Sequence, residues 1–228
     1  MEPTVINHQS NLAENNSPAS VTVSARIFTG FFSYLFHPIF IPVYASLFLI
    51  YIHPSAFAGF SEPEKKQTVL IILLNLAFFP LISVLLLRAV GFIDSVYLRS
   101  QKDRIIPYIA SGIFYFWTYT VFRQQPQYPL LLTSFVLGIF LASSAALIAN
   151  IYLKISMHAI AMGGWLGFFL IISNTQTMLM TWPIAVVLLL TGLVSSARLL
   201  TNSHKPNEVY AGILVGIVTQ VVAAVFIL

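Results

Sequence analysis

Cysteine is absent from the 228-residue chain, which excludes disulfides, thiolate metal sites, haem or iron–sulfur ligation through Cys, and a cysteine nucleophile. Charge is nearly as scarce. Asp, Glu, Lys and Arg make up 8% of the residues, against roughly a quarter in an ordinary soluble domain, so the chain cannot cover a water-facing surface. Eleven Lys and Arg against seven Asp and Glu leave a net charge of +4, too few cations for a nucleic-acid surface. What is abundant is apolar: 58% of the residues are hydrophobic and the mean hydropathy is +0.87. At about 20 residues per span, six or seven membrane helices fit and little remains. The composition predicts an all-α, polytopic integral-membrane bundle of six to seven spans.

Residues 1–25 are rich in Asn, Ser, Thr and Glu and show no apolar run with a small-residue cleavage site. They read as a disordered tail rather than a signal peptide, ahead of a single transmembrane domain over 26–228. Because a charge at the bilayer centre is costly, the gaps between charges locate the spans. Residues 27–61 hold no charge but contain His37-Pro38, Ile41-Pro42 and His53-Pro54, so span 1 is expected to break near its first prolines. Spans 2, 3 and 4 are expected at 67–87, 105–122 and 130–153. The charge-free run 155–197 is too long for one helix, and the polar stretch Ser173–Thr177 divides it into spans 5 and 6. Span 7 runs from about Glu208 onward. Small residues such as Gly138, Ala142, Ala145, Ala146, Gly163, Gly164 and Gly167 suggest close helix packing in lipid. No fixed-period repeat is visible, which weakens a transporter built from similar halves.

If every span crosses, Lys and Arg divide eight (Arg26, Arg88, Arg99, Lys102, Arg104, Lys154, Arg198, Lys205) against three (Lys65, Lys66, Arg123) between the two faces. The plain reading is the positive-inside rule, with the basic face cytoplasmic. The functional reading is an anion site. Lys154, Ser156 and His158 stand where span 5 begins, and a Ser N-cap with free N–H groups behind it suits a phosphate oxygen, although Ser156 alone also reads as an ordinary cap. Arg198, His204 and Glu208 bracket the start of span 7. An Arg fork recognises phosphate, and a His anchored by a carboxylate keeps its other nitrogen free as a nucleophile. The plain alternative is a solvated loop histidine and a Glu that complements a helix N-terminus. Arg99, Lys102 and Arg104 precede span 3, where cation clusters commonly anchor to headgroups. Two spans separate each of these segments from the next, so Arg104, His158 and His204 are expected at one face.

At these residues the chain resembles the type 2 phosphatidic acid phosphatase family, the membrane branch of a superfamily that includes the vanadium haloperoxidases. That family carries Lys-x6-Arg-Pro, then Pro-Ser-Gly-His, then Ser-Arg-x5-His-x3-Asp. Arg198, His204 and Glu208 match the third motif in spacing, with Glu for Asp; Ser156 and His158 match the second; Arg104 stands for the first motif's Arg, with Lys102 or Arg99 substituting for its Lys. The likeness covers roughly residues 99–212. It implies a membrane phosphatase acting on a lipid phosphate or isoprenoid pyrophosphate, with His204 as nucleophile, Glu208 orienting it and His158 as general acid. Arg198, Arg104, Lys102 and Ser156 would hold the phosphate, with no cofactor or metal. The resemblance also tips the site toward the periplasmic face of the inner membrane. The competing expectation is a non-catalytic membrane protein that binds or transports anionic lipid through its basic face.

Overall fold

The computed structural model describes residues 23–96, 98, 100–152, 154–175 and 177–228. The expected tail therefore lies outside the described residues except for 23–25, which already form the first turn of a helix. Helix α1 is Val23–Leu35. Helix α2 is Ile41–Leu47, continued by a wider π turn over Phe48–Ile52. Helices α3 to α8 are Glu62–Ala89, Gln101–Gln124, Leu130–Tyr152, Met157–Asn174, Thr181–Leu200 and Pro206–Ile227, and each of these six is long and apolar enough to span a bilayer. The protein is an all-α, multi-pass membrane protein, and no strand occurs among the described residues.

The 27–61 segment does break at its first prolines, and the break leaves two short helices, neither of which is among the helices long enough to span a bilayer. Pro38 has no N–H to continue α1, and the chain turns at 36–40 before Pro42 starts α2 in its first turn, where a missing donor costs nothing. Short as it is, α2 runs between the two ends of α6. The His37 ring, just ahead of α2, lies 5.6 Å from the ring of His158 at the start of α6. His53, just beyond α2, places Nε2 2.8 Å from Thr177 Oγ1, past the other end of α6. In α3, Pro80 deprives the Leu76 carbonyl of its usual donor. The strain is taken up by the π turn Leu73–Phe78 just ahead of it, with the Phe79 N–H reaching back to the Leu74 carbonyl.

Helix α6 is the centre of the bundle: 61% of its apolar window is buried, against 22–39% in the other five spans. Lipid tails are as apolar as Leu, so helix association in a bilayer depends on close backbone approach. Helices α6 and α8 achieve it through glycine. A Cβ at Gly163 would collide with the Ile213 carbonyl oxygen, and one at Gly216 with the Ile160 carbonyl oxygen. Gln220, mid-way along α8 and 1% exposed, donates from Nε2 to the Phe135 carbonyl of α5 at 3.4 Å. Gly138 leaves the room that its side chain occupies. Because the spans alternate in direction, the start of α4, the end of α5, the start of α6, the end of α7 and the start of α8 gather at one end. Tyr108, Ala146, Ile155 and Ile160 form an apolar layer beneath that end.

Candidate functional site

The short loop after α7 brings His204 to within one turn of Glu208, and the pair closes at 2.8 Å between Nδ1 and Oε2. The same Oε2 accepts the Lys205 N–H at 3.2 Å, so Glu208 caps the N-terminus of α8 and holds the ring at once. The two readings of Glu208 from sequence are thus compatible. His204 Nδ1 also lies 3.2 Å from the Lys154 carbonyl oxygen. Both neighbours of Nδ1 are acceptors, so in the neutral ring the proton sits on Nδ1 and the lone pair on Nε2. The His204 side chain is only 9% exposed. Burial holds its pKa below the ordinary imidazole value; the Glu208 hydrogen bond and charge oppose that shift, and the positive charges of Arg104 and Lys154 reinforce it.

Around this pair stand cations without counter-charges. Arg104, 6% exposed, donates from Nε to the Leu98 carbonyl at 2.8 Å, while its Nη1 is buried without a hydrogen-bond partner. Arg198 donates from Nη2 to the Ser33 hydroxyl, and its buried Nε has no partner. Among the described residues, the ion pairs are Lys65–Glu62 and His204–Glu208, so neither guanidinium is matched by a carboxylate. Buried guanidinium N–H groups without acceptors are costly, and a tetrahedral oxyanion supplies the acceptors they lack. His158 lies within electrostatic reach of Arg198, His37 and His204. Its Nε2 is 3.2 Å from the Ser33 carbonyl oxygen, so that nitrogen carries the proton. Lys154 completes the rim, donating to the Ser203 carbonyl at 3.4 Å.

The structure therefore brings together Arg104, His158, Arg198, His204 and Glu208 from four spans. Two of the expected phosphate ligands are placed differently. Ser156 is fully buried, its hydroxyl accepts the Ala159 N–H at 3.4 Å, and its own N–H donates to the Glu208 carbonyl at 3.3 Å. It is the cap of α6 and a strut to α8. Lys102 is exposed on the first turn of α4 with no ion pair, and Arg99 lies outside the described residues. Two residues that no motif marked join the cluster, Ser33 and His37. The only sequence signal at His37 was its place before Pro38, where the chain must turn.

Among the described residues, no three His, Asp or Glu side chains lie close enough together to hold a metal ion. No family model matches the chain, and neither a curated protein nor a solved structure matches it significantly.

Proposed function

We propose that this protein is an integral-membrane phosphatase that hydrolyses a lipid phosphate or pyrophosphate through a phosphohistidine. The observation that carries the reading is a pair of neighbouring histidines, each with a carboxylate-free guanidinium in electrostatic reach: Arg104 beside His204, whose Nδ1 is held by Glu208 and Lys154, and Arg198 beside His158. His204 Nε2 would attack phosphorus while the bond to the leaving oxygen breaks, and His158, doubly protonated once the substrate's negative charge stands beside it, would deliver its Nε2 proton to the leaving oxygen and remain as neutral imidazole. Water would then attack the phosphohistidine, returning a proton to His158 and releasing inorganic phosphate. Arg198 and Arg104 would hold the non-bridging oxygens, on which charge develops. The apolar exterior of the six spans would set such a site beside acyl or prenyl chains, which supports a membrane-resident substrate over a soluble one.

We assign the protein to the inner (plasma) membrane and the site to its periplasmic face, following the resemblance of the motifs. The test of function is phosphate release by the purified protein from phosphatidic acid, phosphatidylglycerol phosphate and undecaprenyl pyrophosphate. His204→Ala is expected to abolish release while the protein still inserts and unfolds at its normal temperature. Unchanged release by His204→Ala would overturn the mechanism. The absence of release from all three substrates by the native protein would favour the non-catalytic, anionic-lipid-binding alternative.

A further inference from the structure

Helix α1 carries none of the residues that the sequence motifs single out, yet Ser33 on its last turn touches two of the proposed catalytic groups. Its hydroxyl oxygen accepts from Arg198 Nη2 and donates to the Thr29 carbonyl of α1. Its carbonyl oxygen accepts from His158 Nε2 at 3.2 Å. One residue thus sets two oxygens on the two donors that the reaction assigns to a phosphoryl oxygen and to the leaving-group oxygen. Four residues on, His37 packs edge-on against His158, with ring planes at 81°.

The helix is two-faced. Thr29, 2% exposed, and Ser33 turn toward the bundle, where α1 packs against α7. Ile27, Phe31, Tyr34 and Leu35, 69%, 60%, 68% and 42% exposed, recur at i, i+4, i+7 and i+8 and form an apolar outer stripe. A helix with a polar face on a cationic site and an apolar face outward separates that site from lipid. No proline interrupts it between Val23 and Leu35, and the chain turns at 36–40 before α2 begins.

We propose that Ser33 is a surrogate for the substrate: α1 is a lipid-facing lid whose serine occupies Arg198 and His158 until a membrane-resident phosphate ester takes over both donors. This inference rests on the reading of the cluster as a phosphate site. It explains how two buried donors are kept satisfied without substrate, and why that satisfaction comes from a backbone carbonyl and a hydroxyl instead of a carboxylate. Neutral oxygens are weaker partners for a guanidinium than phosphate, so they yield to it.

Two measurements on the full chain test it. First, inorganic phosphate binding by titration calorimetry is expected to be about tenfold tighter in Ser33→Ala, because the competing hydroxyl is gone, and to vanish in Arg198→Ala. Second, because the chain has no cysteine, Thr29→Cys places a single thiol under the lid. Its maleimide labelling is expected to speed up several-fold in phosphatidic acid vesicles relative to phosphatidylcholine. Acceleration by phosphatidic acid alone supports a lid opened by the lipid, and acceleration by free phosphate as well supports opening by the phosphate group itself. If phosphate binds in an Arg198-dependent way but Ser33→Ala binds it no more tightly and labelling never changes, α1 is a fixed wall and the surrogate proposal falls while the phosphate site stands. If neither the native protein nor Ser33→Ala binds phosphate, the site reading falls and the lid falls with it.

Discussion

Replacing Gly216 by alanine tests the packing that holds the site together. The added Cβ would overlap the Ile160 carbonyl oxygen and sit 2.5 Å from the Gly164 nitrogen and 2.8 Å from the Gly163 carbonyl carbon. All three obstacles are backbone atoms of α6, so no side chain can swing aside and the helices must part. Overpacking of this kind costs about 1–3 kcal/mol, partly offset by the ~0.5–1 kcal/mol that alanine gains over glycine inside a helix. Gly192→Ala on α7 is the control, since a Cβ there meets nothing within 4 Å and only the propensity gain applies. Thermal unfolding in one detergent, followed by circular dichroism, should place Gly216→Ala below the native protein and Gly192→Ala at or slightly above it. The effect should also reach the site. Glu208 lies eight residues before Gly216, about 12 Å along the helix, and its carbonyl receives the Ser156 N–H of α6 at 3.3 Å, so a parted pair loosens the turn that anchors His204. If Gly216→Ala unfolds at or above the native temperature, the close α6–α8 approach is refuted, and with it the account of what positions Glu208.

Three further outcomes are expected. In Glu208→Gln, phosphate release should fall by roughly 10²-fold or more, and the acid limb of its pH profile should move to still lower pH. The Glu208 hydrogen bond and charge both raise the pKa of a ring that burial and nearby cations lower; without that charge, Nε2 stays unprotonated further into acid, and an upward shift would contradict the pairing. EDTA should leave activity intact, because guanidinium groups already supply the positive charge; loss restored by a divalent ion would move the reading to a metallophosphatase. For orientation, the eight-to-three excess of Lys and Arg is not decisive, because in sequence six of the eight fall within or beside the three motif segments; the remainder is Arg26 and Arg88 against Lys65, Lys66 and Arg123. With the site periplasmic, α8 ends on the inner side, so a cytoplasmic reporter fused at Leu228 should be active, and a silent one would reverse the assignment.

What the sequence determined by itself is what depends on local terms. The cost of placing charge in hydrocarbon is paid residue by residue, so charge-free gaps anticipated α4 to α8 closely: 105–122 against Gln101–Gln124, and 130–153 against Leu130–Tyr152. The His204–Glu208 pair was legible for the same reason, since four residues at the entry to a helix already place both side chains on one side. Tertiary structure decided the rest. Whether 27–61 would kink or separate into two helices depended on neighbours able to satisfy the carbonyls freed by Pro38 and Pro42, which charge spacing does not encode. Ser156 looked like a phosphate ligand until the approach of α8 buried it as a cap and strut. Ser33 meets Arg198 across 165 positions of chain, and His37 meets His158 only because α1 and α2 fold back along α6 and α7. No local period reports such contacts: they exist because glycines let α6 and α8 touch backbone to backbone, which draws the ends of four spans close enough for α1 to cover them.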